Sequence, residues 1–483
     1  MKSILSLVGV FVGVSSLVIA CGGSGSGSNI AGGGDGADGG GVSVSGVTFH
    51  KDIEPILQDH CQNCHSAGGI APMALLTYQD AQMFAGSIQV KTGTRAMPPW
   101  GARAQASCKP RFGFKADPSL SDAQIKIIAD WVAAGSPEGD PKDAPAAKSA
   151  PDIGLKNPTQ SIAPRAPYAL KGMNDQFRCF VIDPKITGDS YLTGYDITPG
   201  NKTIVHHALV FSAAAGEIKQ TLDASGSYDC FGGPGLAAPK LIAAWAPGTG
   251  AVVLPPNVGL PLKAGTQFVM QVHYHPHANA DMAPDSTKFA MRLTGTKPDY
   301  TFDPELIGNF ENALQDGVGL MPDPDDRNGK VEFRIPANSS THTETQVFTL
   351  SPSLVTPPNG PAVTPQILAV GAHMHLVGVG EEVTIKRAAP INGDPQEECL
   401  LSVPAWDFNW QRSYQYDTDL AKLPYFNAND VLTVTCHYDN TMKNQALASS
   451  ILEQGMSGPK DVSLGETTLD EMCLGVIGFV YKL

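Results

Sequence analysis

Seven of the twelve histidines fall in three tight clusters: His206-His207, His273-Tyr274-His275-Pro276-His277 and His373-Met374-His375. Imidazole is the commonest side-chain ligand for transition metals, and one- or two-residue spacing is what a metal centre needs from extended chain. A second chemistry stands upstream, in Cys61-Gln62-Asn63-Cys64-His65. Two thiols three apart, followed at once by an imidazole, suit covalent attachment of haem c: the thiols take the two vinyl groups and His65 the iron. Zinc would need a second ligand pair nearby, and Cys108 alone does not supply it. Ile53, Ile56 and Leu57 precede the thiols at steps of three and four, so the spacing predicts a helix over 52–65 with the motif on one face. The distal iron ligand is expected at Met97, where Pro98 and Pro99 stiffen the turn. A Met/His pair fills both axial positions and suits electron transfer rather than oxygen binding.

Strand geometry sorts the histidines. Alternating side chains put His373 and His375 on one face, able to grip one ion, with Ala369 and Gly371 leaving room beside them. Adjacent His206 and His207 point to opposite faces of a regular strand and can share a metal only where a bulge re-aims one of them. His273, His275 and His277 keep period two, but Pro276 breaks the strand, so His275 and His277 read equally as solvated loop residues.

The elements that must carry these residues begin well after the N-terminus. Met1-Lys2, an apolar run to Val18, and Ala20-Cys21 read as a secretory signal over 1–20 ending in a lipobox-like site, with Cys21 lipidated. Residues 21–46, mostly Gly, Ser, Ala and Asp, are expected to be a tether that buries no core. Export to the periplasm or cell surface, lipid-anchored and most simply at the outer membrane, permits disulfides among the nine cysteines. No later stretch is apolar and long enough to span a bilayer, so the membrane is met only through that lipid. A net charge of −14 argues against nucleic acid as a partner.

The remaining chain is too long for one ordinary core and reads as a cytochrome domain (47–140), a linker (141–160) and two further domains (161–325 and 326–483). Ser121 and Gln124 form a capping box for a helix with Ile125, Ile128 and Val132 on its apolar face, ended by Gly135. Residues 49–139 resemble the cytochrome c domains fused to bacterial oxidoreductases. Beyond 160 the pattern is strands: 266–274, 366–375, 430–438 and 473–481, with Asn328-Gly329 as a hairpin turn into 331–335. Many short strands without alternating helices imply antiparallel sandwiches, split at Met321–Asp326. The fold class is therefore mainly β, two antiparallel jelly-roll-like sandwiches behind a small all-α domain.

In order, His206-His207, Gln271-Val272-His273-Tyr274, His373-Met374-His375 and Asp470-Glu471-Met472-Cys473 resemble the copper type II, ascorbate-dependent monooxygenases, from about 203 to the C-terminus. The resemblance implies two copper ions, one per sandwich, facing each other across an open cleft. It implies an electron-transfer copper on His206, His207 and His273, and a catalytic copper on His373, His375 and Met472. It also implies the disulfides Cys179–Cys230 and Cys436–Cys473. Cys108 and Cys399 stay open between free thiols and a bridge from the cytochrome to the last domain. A thioether beside two imidazoles favours Cu(I) and leaves a position for O2; by itself Met472 also reads as strand packing. The implied reaction is hydroxylation of a C–H bond with O2 as co-substrate, with electrons entering through the haem from an electron donor, or from ascorbate or another reductant. The peptide-amidating members carry an Arg two residues before the His-x-His and a Tyr four after the Met. Gly371 and Val476 stand there in this chain, which points to a smaller or more apolar small-molecule substrate. The competing reading is a non-catalytic, surface-tethered copper-binding or electron-transfer protein on the same scaffold. A zinc hydrolase fits less well, since no Glu lies beside the His pairs.

Overall fold

The computed structural model describes residues 46–67, 69, 71–148, 154–237, 239–247, 249–276, 280–352 and 363–482. The expected signal, Cys21, nearly all of the tether and His277 lie outside them. Among the described residues no helix is long and apolar enough to cross a membrane.

The N-terminal part is helical. Phe49–Ile53 runs into Glu54–His60, followed by Tyr78–Met83, Ala85–Gly93 and Asp122–Ala133. These elements close over their own buried cluster, with Phe49, Ile53, Leu57, Ile88, Ile128 and Trp131 at its centre. The Ser121/Gln124 capping box starts the last helix as the sequence predicts, and Gly135, at φ +84°, follows its end. The first helix stops short of the expectation. Cys61 and Gln62 both donate to the Leu57 carbonyl at 2.9 Å, a closing pattern that ends regular helix at His60. The Cys61–Cys64 motif therefore occupies the turns after the helix, not its face.

The rest of the chain is mainly β. One five-stranded sheet orders Ser227–Asp229, Gln176–Ile182, Gln267–Tyr274, Val205–Ala213 and Lys240–Trp245. A second orders Val318–Leu320, His342–Thr349, Val431–Tyr438, Gly378–Lys386 and Glu397–Val403. The third sheet, of nine strands, belongs to both halves of the chain. At its seam Tyr300–Gly308 pairs with the last strand, Leu474–Lys482, over nine consecutive antiparallel partners. The nine-stranded sheet therefore runs across the expected boundary at 325/326, and the buried cluster beneath it takes residues from both five-stranded sheets. The last strand is buried along most of its length, so it needs neighbours on both edges, and Gln366–His373 supplies the other.

The Asn328-Gly329 turn forms with both residues at positive φ, but no hairpin follows. The strand after it is only Arg334–Ile335 and pairs with Val462–Ser463, near the far end of the chain. Residues 100–117 leave the helical cluster and run along the second half. Cys108 is bridged to Cys399, the Arg103 and Lys115 N–H groups donate to Ser402 and Gln415, and Arg111 pairs with Asp394 and Glu398. The open alternatives for Cys108 and Cys399 resolve to this bridge.

Candidate metal centres

His206 and His207 open the strand Val205–Ala213, and His273 lies on its neighbour Gln267–Tyr274. Val205 pairs with Tyr274 but His207 pairs with His273, so His206 is the extra residue of a bulge. That bulge overrides strict alternation and brings both adjacent imidazoles to one side. Ligand nitrogens of His206, His207 and His273 lie within 4.8 Å of one another. His206 Nε2 donates to the Phe408 carbonyl at 3.3 Å, leaving Nδ1 bare and 3.2 Å from Nδ1 of His207. His273 is 3 % exposed and neither of its ring nitrogens has an aligned hydrogen-bond partner. Buried, unpaired nitrogens such as those of His273 are costly unless something fills the gap, and their convergence with the facing Nδ1 atoms of His206 and His207 suits a metal ion.

His275, expected as readily in a solvated loop, comes to the edge of this group. Its Nδ1 meets Asp175 at 2.6 Å, and Asp175 lies 3.4 Å from His273 Nε2, out of hydrogen-bond alignment. Burial would raise the Asp175 pKa, but its interactions with His273 and His275 outweigh it and hold the carboxyl well below the usual range. Pro276 ends the strand without removing His275, whose N–H donates to Ile204 at 2.9 Å. Phe177 stacks on His273 at 4.2 Å and fixes the ring's plane.

The second group forms where two neighbouring strands meet. Gln366–His373 pairs with Leu474–Lys482, ending at His373 opposite Leu474. Continued by two residues, that register sets His375 opposite Met472. Glu471 makes the join: one carboxylate oxygen accepts the N–H groups of both His375 and Met472, and the other accepts that of Val377. Glu381 accepts the N–H of His373 at 3.1 Å. Both carboxyls are fully buried, which pushes Glu381 well above the ordinary range and Glu471 up to about 8. His373 Nδ1 donates to Gln411 at 2.7 Å and His375 Nδ1 to the Asp470 carbonyl at 3.1 Å, so each presents its Nε2. Met472 is buried, its carbonyl accepting from Tyr438 Oη at 2.8 Å, and the Cys436–Cys473 bridge pins the next residue. Cys179–Cys230 forms as well.

The room expected beside Gly371 is absent. A Cβ there would lie 3.0 Å from the Arg412 carbonyl and 3.1 Å from Val476, because Ser413–Gln415 pairs against this strand. A side chain there would push the Arg412 and Ser413 backbone back by a few tenths of an ångström, so glycine suits that close approach.

The two groups face each other directly rather than across an open cleft, with the His207 and His373 rings 6.3 Å apart. The loop 406–412 closes the gap. Phe408 stacks on His206 at 4.1 Å, Trp406 Nε1 donates to the His375 carbonyl, and Gln411 links His373 to the Phe408 carbonyl. Desolvation lowers all five imidazoles: His206 and His207 fall well below 6.5, His373 to about 4 and His375 to about 3. Neutral imidazole is the ligating form.

The upstream motif has its own order. His65 Nδ1 donates to the Met73 carbonyl at 3.1 Å, which leaves Nε2 for a metal. Cys61 and Cys64 are unbridged, and burial, followed by the nearby Cys64, pushes the Cys61 thiol up to about 12. Met97 is half-buried, with its N–H on the Lys91 carbonyl. These groups fit a covalently held haem. Asp175, Glu381, Glu471, Gln411 and Phe408 were not singled out as site residues by sequence; only Glu471 had a signal, as the neighbour of Met472.

Residues 168–281 match the model of the copper type II ascorbate-dependent monooxygenase N-terminal domain, a stretch that contains His206, His207 and His273. The match marks that stretch as similar to the N-terminal domain of this family. The chain is 24 % identical over 289 residues to dopamine beta-hydroxylase of Canis lupus familiaris, covering 59 % of this chain and 39 % of the relative. It is 24 % identical over 325 residues to dopamine beta-hydroxylase of Equus caballus, covering 65 % and 46 %. The chain thus spans less than half the length of these relatives. Among solved structures, the major capsid protein P2 from bacteriophage PM2 aligns with 67 % of this chain and 97 % of its own at 9 % identity, but the TM-score of 0.24 carries no fold argument.

Proposed function

We propose that this chain is a copper-dependent monooxygenase that hydroxylates a C–H bond of a small organic substrate with O2, with electrons supplied through the haem motif. The observation that carries this reading is the convergence of five imidazoles into two groups whose facing rings, His207 and His373, are 6.3 Å apart, with the Met472 backbone tied to that of His375 beside the second. Copper held by His206, His207 and His273 would supply stored electrons, and copper held by His373, His375 and Met472 would supply O2 activation. Haem c on Cys61 and Cys64, with His65 and Met97 as axial ligands, would supply electron storage and delivery.

The chain's own residues prepare these positions. Glu471 locks the backbones of His375 and Met472 together, Gln411 fixes the tautomer of His373, and the Phe408 carbonyl fixes that of His206. The stacked Phe408 and Phe177 rings hold the planes of His206 and His273. Gly371 and its strand partner Val476 stand where a carboxylate clamp would need Arg and Tyr, which favours a substrate without a carboxylate. Export and lipid anchoring at Cys21 belong to the same reading, supported by the Ala20-Cys21 sequence.

The test is metal and haem analysis of the purified protein, followed by oxygen uptake with a panel of small aromatic and aliphatic compounds, dopamine included. Two coppers per haem, with substrate-stimulated uptake and one 18O atom in the product, support the enzyme. Tight copper without oxygen turnover supports a copper-binding or electron-transfer protein instead.

A further inference from the structure

A third group of ligating side chains lies away from both copper groups, where the turn 321–326 meets the strand His342–Thr349. Ligand atoms of Asp323, His342 and Glu344 lie within 4.8 Å of one another. Asp323 is half-buried, His342 is 4 % exposed and Glu344 is fully buried. Glu344 Oε1 accepts the Arg334 N–H at 3.0 Å and faces His342 Nε2 at 2.9 Å. Its Oε2 is buried and has no hydrogen-bond partner among the described residues. A buried carboxylate oxygen without a donor is costly, and this one belongs to the carboxylate aimed at His342 and Asp323.

The partners of His342 choose its ligand atom. Nδ1 meets Asp325 at 3.0 Å, which leaves Nε2 free to bind. A ligating histidine characteristically donates its other ring N–H to a carboxylate in this way. The neighbouring cations are spent elsewhere: Arg327 and Arg334 both pair with Glu332 and Asp461. Among the described residues no Lys or Arg pairs with Asp323, Asp325 or Glu344. A protonated His342 between Asp325 and Glu344 would occupy both ring nitrogens. It would still leave Glu344 Oε2 unpartnered, and three carboxylates sharing one positive charge.

We propose that Asp323, His342 and Glu344 bind a zinc ion at a third metal site, with Asp325 orienting His342. The imidazole makes Ca2+ and Mg2+, which take oxygen ligands, poorer occupants. Two carboxylates with no thiol or thioether do the same for Cu(I). Zinc accepts imidazole nitrogen and carboxylate oxygen together, and the half-exposed side of Asp323 leaves a position for water. The ion acts as a clamp, tying the turn at the boundary between the two halves to a strand of the second. Glu344 pairs with Cys436, whose bridge to Cys473 adjoins Met472, so one strand pair and one disulfide join the clamp to the thioether. The inference does not rest on the haem or copper reading.

The experiment is zinc binding to the full chain supplied anaerobically with Cu(I), which prefers the imidazole and thioether groups. It is read by competition with a zinc chelator and by zinc X-ray absorption. The wild type should hold a zinc with a single imidazole and otherwise oxygen ligands. Asp323→Asn and Glu344→Gln should each weaken it by about 100-fold or more, and Asp325→Ala by roughly 10- to 100-fold, the loss expected of an orienting partner. Far-UV circular dichroism is the folding control. Asp323 is half-buried on a turn, so its variant decides the matter where Glu344→Gln fails to fold. Zinc held equally tightly by wild type and folded Asp323→Asn overturns the inference. So does zinc bound by two or more imidazoles or by sulfur, which marks occupation of the other histidine groups. A wild type that takes up no zinc also overturns it, and leaves His342 as a protonated partner of its two carboxylates.

Discussion

Glu471→Gln is the sharpest single perturbation of the second metal group. Glu471 is fully buried, and its carboxylate accepts from three backbone donors: His375 and Met472 on one oxygen, Val377 on the other at 3.1 Å. Glutamine keeps the shape and retains one carbonyl oxygen. That oxygen serves either the His375–Met472 pair or Val377, and the amide NH2 then opposes the N–H left over. Opposed buried donors cost about 1–3 kcal/mol. At about 1.4 kcal/mol per tenfold, Cu(I) affinity should fall between roughly 5- and 150-fold, in line with the roughly 10- to 100-fold cost of losing a residue that orients a ligand. The assay is competition with a Cu(I) chelator at about pH 9, above the raised Glu471 pKa of about 8 so that its carboxyl is ionised, in a His207→Ala background, where only His373, His375 and Met472 form a complete set. The same substitution in a His375→Ala background should leave copper at His206, His207 and His273 within about threefold, a margin well below one tenfold step. Unchanged affinity in the first background, or equal loss in both, refutes the role given to Glu471.

Three further outcomes are expected. Met472→Leu conserves volume and should cost less than about 1.5 kcal/mol of stability, yet the sulfur contribution should vanish from the Cu(I) X-ray absorption spectrum. Replacing Cys108 and Cys399 by Ala opens a loop of sequence separation 291, which loop-closure entropy values at about 5.7 kcal/mol; urea unfolding should move to clearly lower midpoints. In metal-free protein His342 is the pH-sensitive group away from the copper residues. Burial disfavours its charge, but hydrogen bonds to Glu344 and Asp325 outweigh that and raise its pKa. A raised folded pKa means its contribution is fully present below about 6.5, the ordinary histidine value, and is lost as pH rises through the folded value. Urea midpoints from pH 6 to 9 should fall in the wild type and fall less steeply in His342→Gln, the residual slope coming from buried Glu471, whose pKa is raised to about 8.

The sequence carried the ligand types and the long strands Gln267–Tyr274, Gln366–His373, Val431–Tyr438 and Leu474–Lys482, because alternation and histidine spacing are local properties. It also carried the condition on His206 and His207, a bulge, though only the register against Tyr274 and His273 shows where that bulge lies. The shared sheet was not legible, since the pairing of Tyr300–Gly308 with Leu474–Lys482 joins segments far apart in the chain through side chains that any buried strand could carry. Glycine at 371 read as open space, whereas it marks the close approach of the Arg412 backbone. Asp175, Gln411 and Phe408 escaped for the same reason: their roles come from loops that reach across the fold, and a lone polar or aromatic residue has no periodicity to betray it.

The central claim is that electrons pass from a haem on Cys61 and Cys64 to copper held by the clustered histidines and are spent on O2. Anaerobic flash reduction of the haem, in protein loaded with Cu(II), tests it most directly. The account predicts that haem absorbance returns to the oxidised form while the Cu(II) EPR signal falls by the same number of electrons. A haem that stays reduced beside intact Cu(II), while product forms with ascorbate alone, contradicts it.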